Sequence, residues 1–587
     1  MTRYDNTNAI ELTEVDMIVV GGGTSGCIIA GRIAKAQPDI SIFVIEGGLD
    51  NRHDPTISKP ILCSTHIKGE SNFMSIYQAQ RLPDTVNRDC FIKTAAVLGG
   101  GSSVNFCIYT RPSAADFDSF NADGWAFKDI LPFMRKFETF HGYGNSRVHG
   151  YDGPVHISDG GFCVPRVESM IFESAARSGY DYIEDAQDPT ELPSIGVAKW
   201  RRYASTDGVR QDTAHTYLHP LLDDNQHPNL HLALNTKVSR VIFDKYNCVI
   251  GVECYSDREI LKVIATKRVI LAAGTFGTPQ ILERSGIGSS RLLKSLAIPL
   301  VSELSQVGEN YQDHPLISAA YKTSLKPGET LDGVLGSGKT LAHAIQTGDP
   351  ILGWNGVDIC FKLRPTEMEI ANFSLAMQAA WEKDFQHVPD RPVIYLAVVS
   401  GFIGDRKAVP AGQYVCITSW LAHPYSRGKI HIASSHANDP PIFHSGFLSD
   451  PDNLDLEMLV WAYRKGHEIM RSFSFYDGEA DVDGAAGLGH PDGIFLENGK
   501  LRADNGPIQD FVRRTVTSAL HPLGTCRIGS GDLGVVNERL AVHAVGGLRC
   551  ADLSICPNNL GTNTASVAMT VGEKAAAMIL EDLIVPC

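Results

Sequence analysis

The chain has 587 residues, too many for one ordinary hydrophobic core, so two closely joined domains are expected. Hydrophobic residues make up 43% and charged residues 20%, the balance of a soluble globular enzyme. A net charge of −15, from 67 acids against 52 bases and with no long basic run, speaks against nucleic-acid and anionic-membrane partners.

Residues 1–16 are polar and acidic, with neither a basic region nor an apolar core, so no signal peptide is expected. A buried strand follows at Asp16-Met-Ile-Val-Val20, then the turn Gly21-Gly-Gly-Thr-Ser-Gly26, a helix through Ala34, and a second strand, Ser41 to Glu46. This is the pattern of a dinucleotide-binding unit. Gly21 makes the tight turn, Gly23 lets the backbone approach a pyrophosphate, and Gly26 lets helix and sheet pack closely. The diphosphate would rest on the helix N-terminus, where unpaired N–H groups point outward. Glu46, 20 residues after Gly26, stands where a carboxylate accepts hydrogen bonds from a ribose and repels a 2′-phosphate. NADP is thereby disfavoured, whereas FAD and NAD remain open on this motif alone.

A second loop of small residues, Val97-Leu-Gly-Gly-Gly-Ser-Ser-Val-Asn105, includes Gly100 and suits close backbone approach to a flat or charged ligand. Alternating runs predict strands at 231–234, 238–243 and 249–253. Arg268 to Gly274 reads as another strand, followed by a glycine turn and a helix at 280–285. Two mononucleotide-sized crevices in one sheet suit a large cofactor. From about 315 to 510 strands, Pro-rich turns and helices such as Leu454 to Arg471 alternate, as in a separate cap or substrate domain. Within it Gly333-Val-Leu-Gly-Ser-Gly-Lys-Thr340 matches the phosphate loop of nucleotide hydrolases. The polar, Pro-containing segment before it offers no strand, so this reads as a flexible Gly/Ser segment rather than an NTPase site. The last seventy residues carry His521-Pro-Leu-Gly-Thr-Cys-Arg-Ile-Gly529, then Gly547 to Asp552, then Gly561-Thr-Asn563 leading into a helix from Ser566 to Leu583. Thirteen cysteines without Cys-x-x-Cys spacing read as reduced intracellular thiols, and no metal site is expected. No apolar run reaches the roughly 18 residues that span a bilayer. The ending Ile584-Val-Pro-Cys587 is not a peroxisomal tripeptide, so the expected location is cytoplasmic.

Taken together the motifs resemble the glucose–methanol–choline (GMC) flavin oxidoreductases along nearly the whole chain. The matching segments are the GGGTSG start, LGGGSSVN, Ala273 to Gln280 with Ser285-Gly-Ile-Gly288, Val307-Gly-Glu-Asn-Tyr-Gln-Asp-His-Pro315, and HPLGTCRIG. Within the family the fungal alcohol (methanol) oxidases are similar at Gly401 to Asp405, Pro424 to Gly428 and Cys556 to Thr564. The resemblance implies an α/β fold, α+β overall. A Rossmann-like FAD-binding domain would be joined to a discontinuous, mixed-sheet substrate-binding domain. Residues 1–314 would be mainly FAD-binding, with cap insertions around 151–205; 315–510 would be the cap; 511–587 would return to the FAD-binding part.

The resemblance also implies oxidation of an alcohol, with His521 and Asn563 at the flavin's reactive edge. Histidine can take the hydroxyl proton because its ordinary pKa lies near working pH, and the Asn563 amide can hold the alcohol oxygen. For FAD itself the resemblance points to Thr24 and Ser25 at the pyrophosphate and Val238 at the adenine. It places Ser102, Ser103 and Asn105 along the ring and its tail, with Asp552 and Thr564 closing over them. Val104 stands where some relatives place the histidine bonded to the flavin, so FAD is expected to be noncovalent. Methanol oxidases have cysteine where this chain has Pro522, and this chain is shorter at about 480–510. A larger primary alcohol is therefore favoured, with Phe402, Trp420 and Trp461 as candidate pocket aromatics. Oxygen is the expected acceptor, a homo-oligomer stays open, and two rivals share the fold. They are a dehydrogenase that passes electrons elsewhere and a hydroxynitrile-lyase-like enzyme that uses no redox chemistry.

Overall fold

Four-residue apolar runs such as Met17–Val20 and Ile42–Ile45 have no polar side to present to water, so each is buried on both faces of a parallel sheet. The computed structural model describes residues 3–4, 14–67, 71–190, 194–256, 259–336, 338–482, 489–491, 496–497, 500–501 and 505–584. The strand Glu14–Val20 lies between Ile42–Ile45 and the long strand Glu259–Leu271, and all of these pairings are parallel. Outward from Ile42–Ile45 come Leu230–Ala233 and Arg3–Tyr4; Leu548–Cys550 pairs with the far end of the long strand. The first half of that long strand instead pairs antiparallel with Val249–Ser256, which pairs with Lys237–Phe243. One sheet thus joins a Rossmann-like layer to a three-stranded meander. Helix Thr24–Ala36 crosses it, and the last helix, Ala565–Ile584, packs on that helix. A side chain at Gly572 would meet Ser25 Cα at 3.1 Å, so glycine permits this approach.

The second sheet takes strands in the order Tyr476–Glu479, Pro315–Thr323, Tyr414–Leu421, Ile394–Val399, Val357–Leu363, Gly196–Lys199 and Tyr182–Ile183. Its pairings are antiparallel except the last, which makes it mixed. Strand side chains alternate faces. Val415, Ile417 and Leu421 therefore pack against helix Leu454–Ser472, whereas Tyr414, Cys416 and Trp420 point the other way. Gly466 allows that helix to lie on the sheet, since a Cβ there would sit 2.8 Å from the Ile417 side chain.

The Gly333–Thr340 segment is not a loop between strand and helix. Gly333 belongs to helix Leu331–Leu335, and Lys339 and Thr340 belong to helix Gly338–Thr347. A 3-10 turn, Pro327–Glu329, precedes them, so the strand a phosphate loop requires is missing there. The readings at residues 5–13, at 585–587 and over about half of 480–510 fall outside the described residues. Among the described residues no helix is long and apolar enough to cross a membrane, no group of three or more His, Cys, Asp or Glu is placed to hold a metal, and none of the twelve cysteines is in a disulfide.

Candidate active site

Two glycine loops meet at the N-terminus of helix Thr24–Ala36. Gly21 adopts φ +98°, and a Cβ there would lie 2.4 Å from the Ala272 carbonyl oxygen. At Gly26 a Cβ would lie 2.0 Å from Gly21 O, so only glycine lets the helix start so close to the turn. Gly100, at φ +56°, brings the second loop against the first, where a Cβ would meet Gly23 Cα at 2.8 Å. Gly99 N–H donates to Gly22 O (2.7 Å) and Thr24 Oγ1 to Gly99 O (3.1 Å), which ties the loops together. Gly23 is the N-cap and supplies no side chain, so the leading N–H groups have no side-chain partner. A Cβ-free cradle on an uncapped helix end fits a dinucleotide's diphosphate.

The remaining predicted cofactor residues are engaged as follows. Both Glu46 oxygens accept backbone N–H groups, from Gly22 and Gly48, each at 2.7 Å. Burial raises its carboxyl above the usual range while these bonds oppose the shift. The Ser25 hydroxyl donates to Ala568 O at 2.7 Å, which leaves only its backbone for a ligand. Ser102 and Ser103 donate within their own loop, to Gly99 O (2.6 Å) and Leu98 O (2.7 Å). Asn105 Oδ1 accepts from Arg210 at 2.7 Å and from Cys107 N–H at 2.9 Å. Val104 is buried beside Ile57 and Val97. Val238 is a buried strand residue opposite Cys254, next to a register shift. Asp552 accepts from Gly274 N–H (2.9 Å) and Thr278 Oγ1 (2.6 Å) at the start of helix Gly274–Arg284, and burial raises its carboxyl. Buried Thr564 opens the last helix by accepting from Ala568 N–H at 3.0 Å.

The reactive cluster is built by a bulge. Pro315 and Leu316 pair with Ser518 and Thr517, and Ala519 N–H donates to His314 O at 3.0 Å. Pairing resumes at Gln312 and Leu523, so the single residue Asp313 lies opposite residues 520–522. Leu520 bends at φ +63°, a conformation uncommon outside glycine, and the bulge displays His521. Asp313 stabilises this by accepting from the backbone N–H of His314 (2.8 Å) and of His521 (3.1 Å), and from the hydroxyls of Tyr311 (3.1 Å) and Ser518. Burial pushes its carboxyl up to about 6.

His521 Nε2 lies 3.2 Å from Asn563 Nδ2, and its Nδ1 lies 2.9 Å from His314 Nδ1. Thr110 contacts both the backbone and the side chain of Asn563. Burial holds His521 well below its ordinary value and His314 down at about 3, the first further lowered by its histidine neighbour and the second by His423. The imidazole is therefore kept neutral. Trp420 stands 6.4 Å from His521, ring to ring, stacked between Tyr395 (5.4 Å) and Trp200 (5.9 Å). Phe402 shares this face of the second sheet. Trp461 does not: it packs beneath the opposite face and its indole donates to Glu369 at 3.1 Å, because helix Leu454–Ser472 covers that side. Sequence reading missed His314, Asp313, Thr110, Trp200 and Tyr395. The first two lie in the quoted QDHP stretch, the only signal available.

Comparison with known proteins bears on these observations. The chain matches the GMC oxidoreductase family over residues 15–316 and again over 424–572. It is 32% identical to an alcohol oxidase of Candida boidinii, with 97% of this chain and 95% of that protein aligned. An alcohol oxidase of Komagataella phaffii is 31% identical over the same shares. Among solved structures, a formate oxidase variant from Aspergillus oryzae superposes with a TM-score of 0.84 at 21% identity, covering 98% of this chain and 99% of that one.

Proposed function

The chain belongs to the GMC oxidoreductase family, FAD-dependent enzymes acting on CH–OH donors, and we propose that it oxidises a primary alcohol to the aldehyde with oxygen as acceptor and hydrogen peroxide as second product. The observation that carries the reading is the 3.2 Å pairing of His521 and Asn563 beneath an apolar aromatic wall. FAD would be held noncovalently, since Val104 offers no nucleophile, in the cradle of Gly21, Gly23, Gly26 and Gly100. Thr24, the Ser25 backbone, Glu46, Ser102, Ser103, Asn105, Val238, Asp552 and Thr564 would lie around it. Residues 1–314 and 511–587 serve mainly this cofactor, and 315–510 the substrate.

When bound, FAD would supply the hydride acceptor and the route by which electrons reach oxygen. His521 Nε2 takes the hydroxyl proton, and Asn563 Nδ2 donates to the alcohol oxygen, so that the carbon's C–H bond is oriented for transfer. The resulting imidazolium places positive charge where reduced oxygen gains negative charge. Trp420, Tyr395, Trp200 and Phe402 supply an apolar wall suited to an alcohol larger than methanol. An anaerobic absorbance scan with a panel of alcohols, followed by air, tests this. Bleaching that reverses quickly in air with peroxide formed supports the oxidase. Bleaching without quick return makes it a dehydrogenase, and an oxidised spectrum with every alcohol favours a lyase.

A further inference from the structure

The side chains around His521 form a directed chain of hydrogen bonds that starts at a backbone amide. Asn563 N–H donates to Thr110 Oγ1 at 2.9 Å, and the Thr562 hydroxyl donates to the same oxygen at 2.8 Å. Both lone pairs of Thr110 are then used, and its one proton goes to Asn563 Oδ1, 3.1 Å away. The amide is thereby fixed one way round, with its nitrogen toward His521 Nε2 at 3.2 Å. That nitrogen only donates, so Nε2 must accept. A neutral imidazole carries one proton, which then sits on Nδ1 and points at His314 Nδ1, 2.9 Å away. His314 must accept there and so carries its own proton on Nε2, a buried atom with no hydrogen-bond partner among the described residues. Thr110 and His314 are fully buried, so bulk water does not compete for these positions.

We infer that Thr110 and His314 are positioning residues that hold His521 in its Nδ1–H tautomer, so that the Nε2 lone pair, which here accepts from Asn563 Nδ2, takes the alcohol hydroxyl proton once the Asn563 bond passes to the alcohol oxygen. This rests on the reading of His521 as the base. In the step itself the O–H bond breaks, the proton adds to Nε2, and the imidazolium keeps its Nδ1–H bond to His314. The carbon's hydride, with its two electrons, goes to the bound FAD. The Asp313 carboxylate takes no part in this chain, since it accepts from the His521 backbone N–H.

The test is nitrogen NMR of FAD-loaded protein labelled with ¹⁵N-histidine, His521 being assigned by its loss in His521→Ala. The expected result is a neutral His521 protonated at Nδ1. Thr110→Val and His314→Leu should give mixed or inverted tautomers, whereas Thr110→Ser and His314→Asn, which keep the hydroxyl and an acceptor, should restore the wild-type pattern. Anaerobic reduction by benzyl alcohol and by ethanol gives a second readout. The first two variants should lower the limiting rate at least about tenfold with KM nearly unchanged, and the second two should stay within about threefold. A wild-type His521 protonated at Nε2 overturns the inference, as does Thr110→Val with the wild-type tautomer and rate. Wild-type reduction by His521→Ala would instead sink the base assignment, while the tautomer spectrum would still judge the hydrogen-bond order.

Discussion

Asn563 Nδ2 and His521 Nε2 lie 3.2 Å apart although 42 residues separate them in the chain. One stands on a bulge beside the second sheet and the other at the entrance to the last helix, which packs over the first sheet. An imidazole and a side-chain amide thus converge from distant parts of the chain.

Removing the imidazole should have the larger effect. His521→Ala should slow anaerobic flavin reduction by about 10²-fold or more, the usual worth of a positioned general base, while FAD stays bound. Stopped-flow absorbance measures both. A variant that reduces at the wild-type rate would exclude His521 from the mechanism.

Asn563→Ala should lower turnover less severely, because only orientation of the alcohol is lost. Thr110 keeps its contact with the residue 563 backbone in this variant, so the loop should hold. Loss of bound flavin rather than of rate would recast Asn563 as a cofactor ligand.

The pH dependence follows from burial. His521 is held well below 6.5, so the acid limb of the reduction rate should fall below pH 6.5. Stability should drop over the same range. Unfolded chain protonates His314 near 6.5, whereas the folded ring resists until about 3, so the unfolded state binds more protons as pH falls. Asp313, raised from 3.8 to about 6, has the opposite sign between those values. Thermal unfolding of His314→Asn between pH 3 and 6.5 should show a flatter dependence than wild type; an unchanged slope would contradict the assignment.

The two tryptophans should separate specificity from stability. Trp420→Ala should change the preference between bulky and short alcohols by about tenfold or more, measured as a ratio of kcat/KM. Trp461→Ala should leave that ratio alone and cost about 3–5 kcal/mol in urea unfolding, as large-to-small core changes do.

Behind the site, Arg111 and Glu138 form an ion pair with both side chains essentially inaccessible, and His149 adds a second bond to Glu138 at 2.8 Å. Glu138→Ala strands the guanidinium and should destabilise the protein by about 3–5 kcal/mol in the same assay. A loss below about 1 kcal/mol would show that the network relaxes.

Short-range rules governed what was legible beforehand. Gly21, Gly26 and Gly100 announce tight backbone geometry through residue type alone, and runs such as Val238–Phe243 announce strands through their period. Helix Leu454–Ser472 shows itself the same way. Trp420 and Trp461 look alike in sequence, yet one faces His521 and the other the reverse of the same sheet, because strand register and helix docking assign the faces. The phosphate-loop spelling at 333–340 likewise lost its meaning once its neighbours proved helical.

The amino-acid order by itself determined the cofactor-type glycine turns, the strands and the short motifs holding His521 and Asn563, since each depends on neighbours a few residues apart. Tertiary structure alone decided that Asp313 faces a three-residue bulge, that His314 meets His521, and that Thr110 orients Asn563. Those contacts join segments more than 200 residues apart in the first two cases and 453 in the third, so they exist only after both sheets have paired.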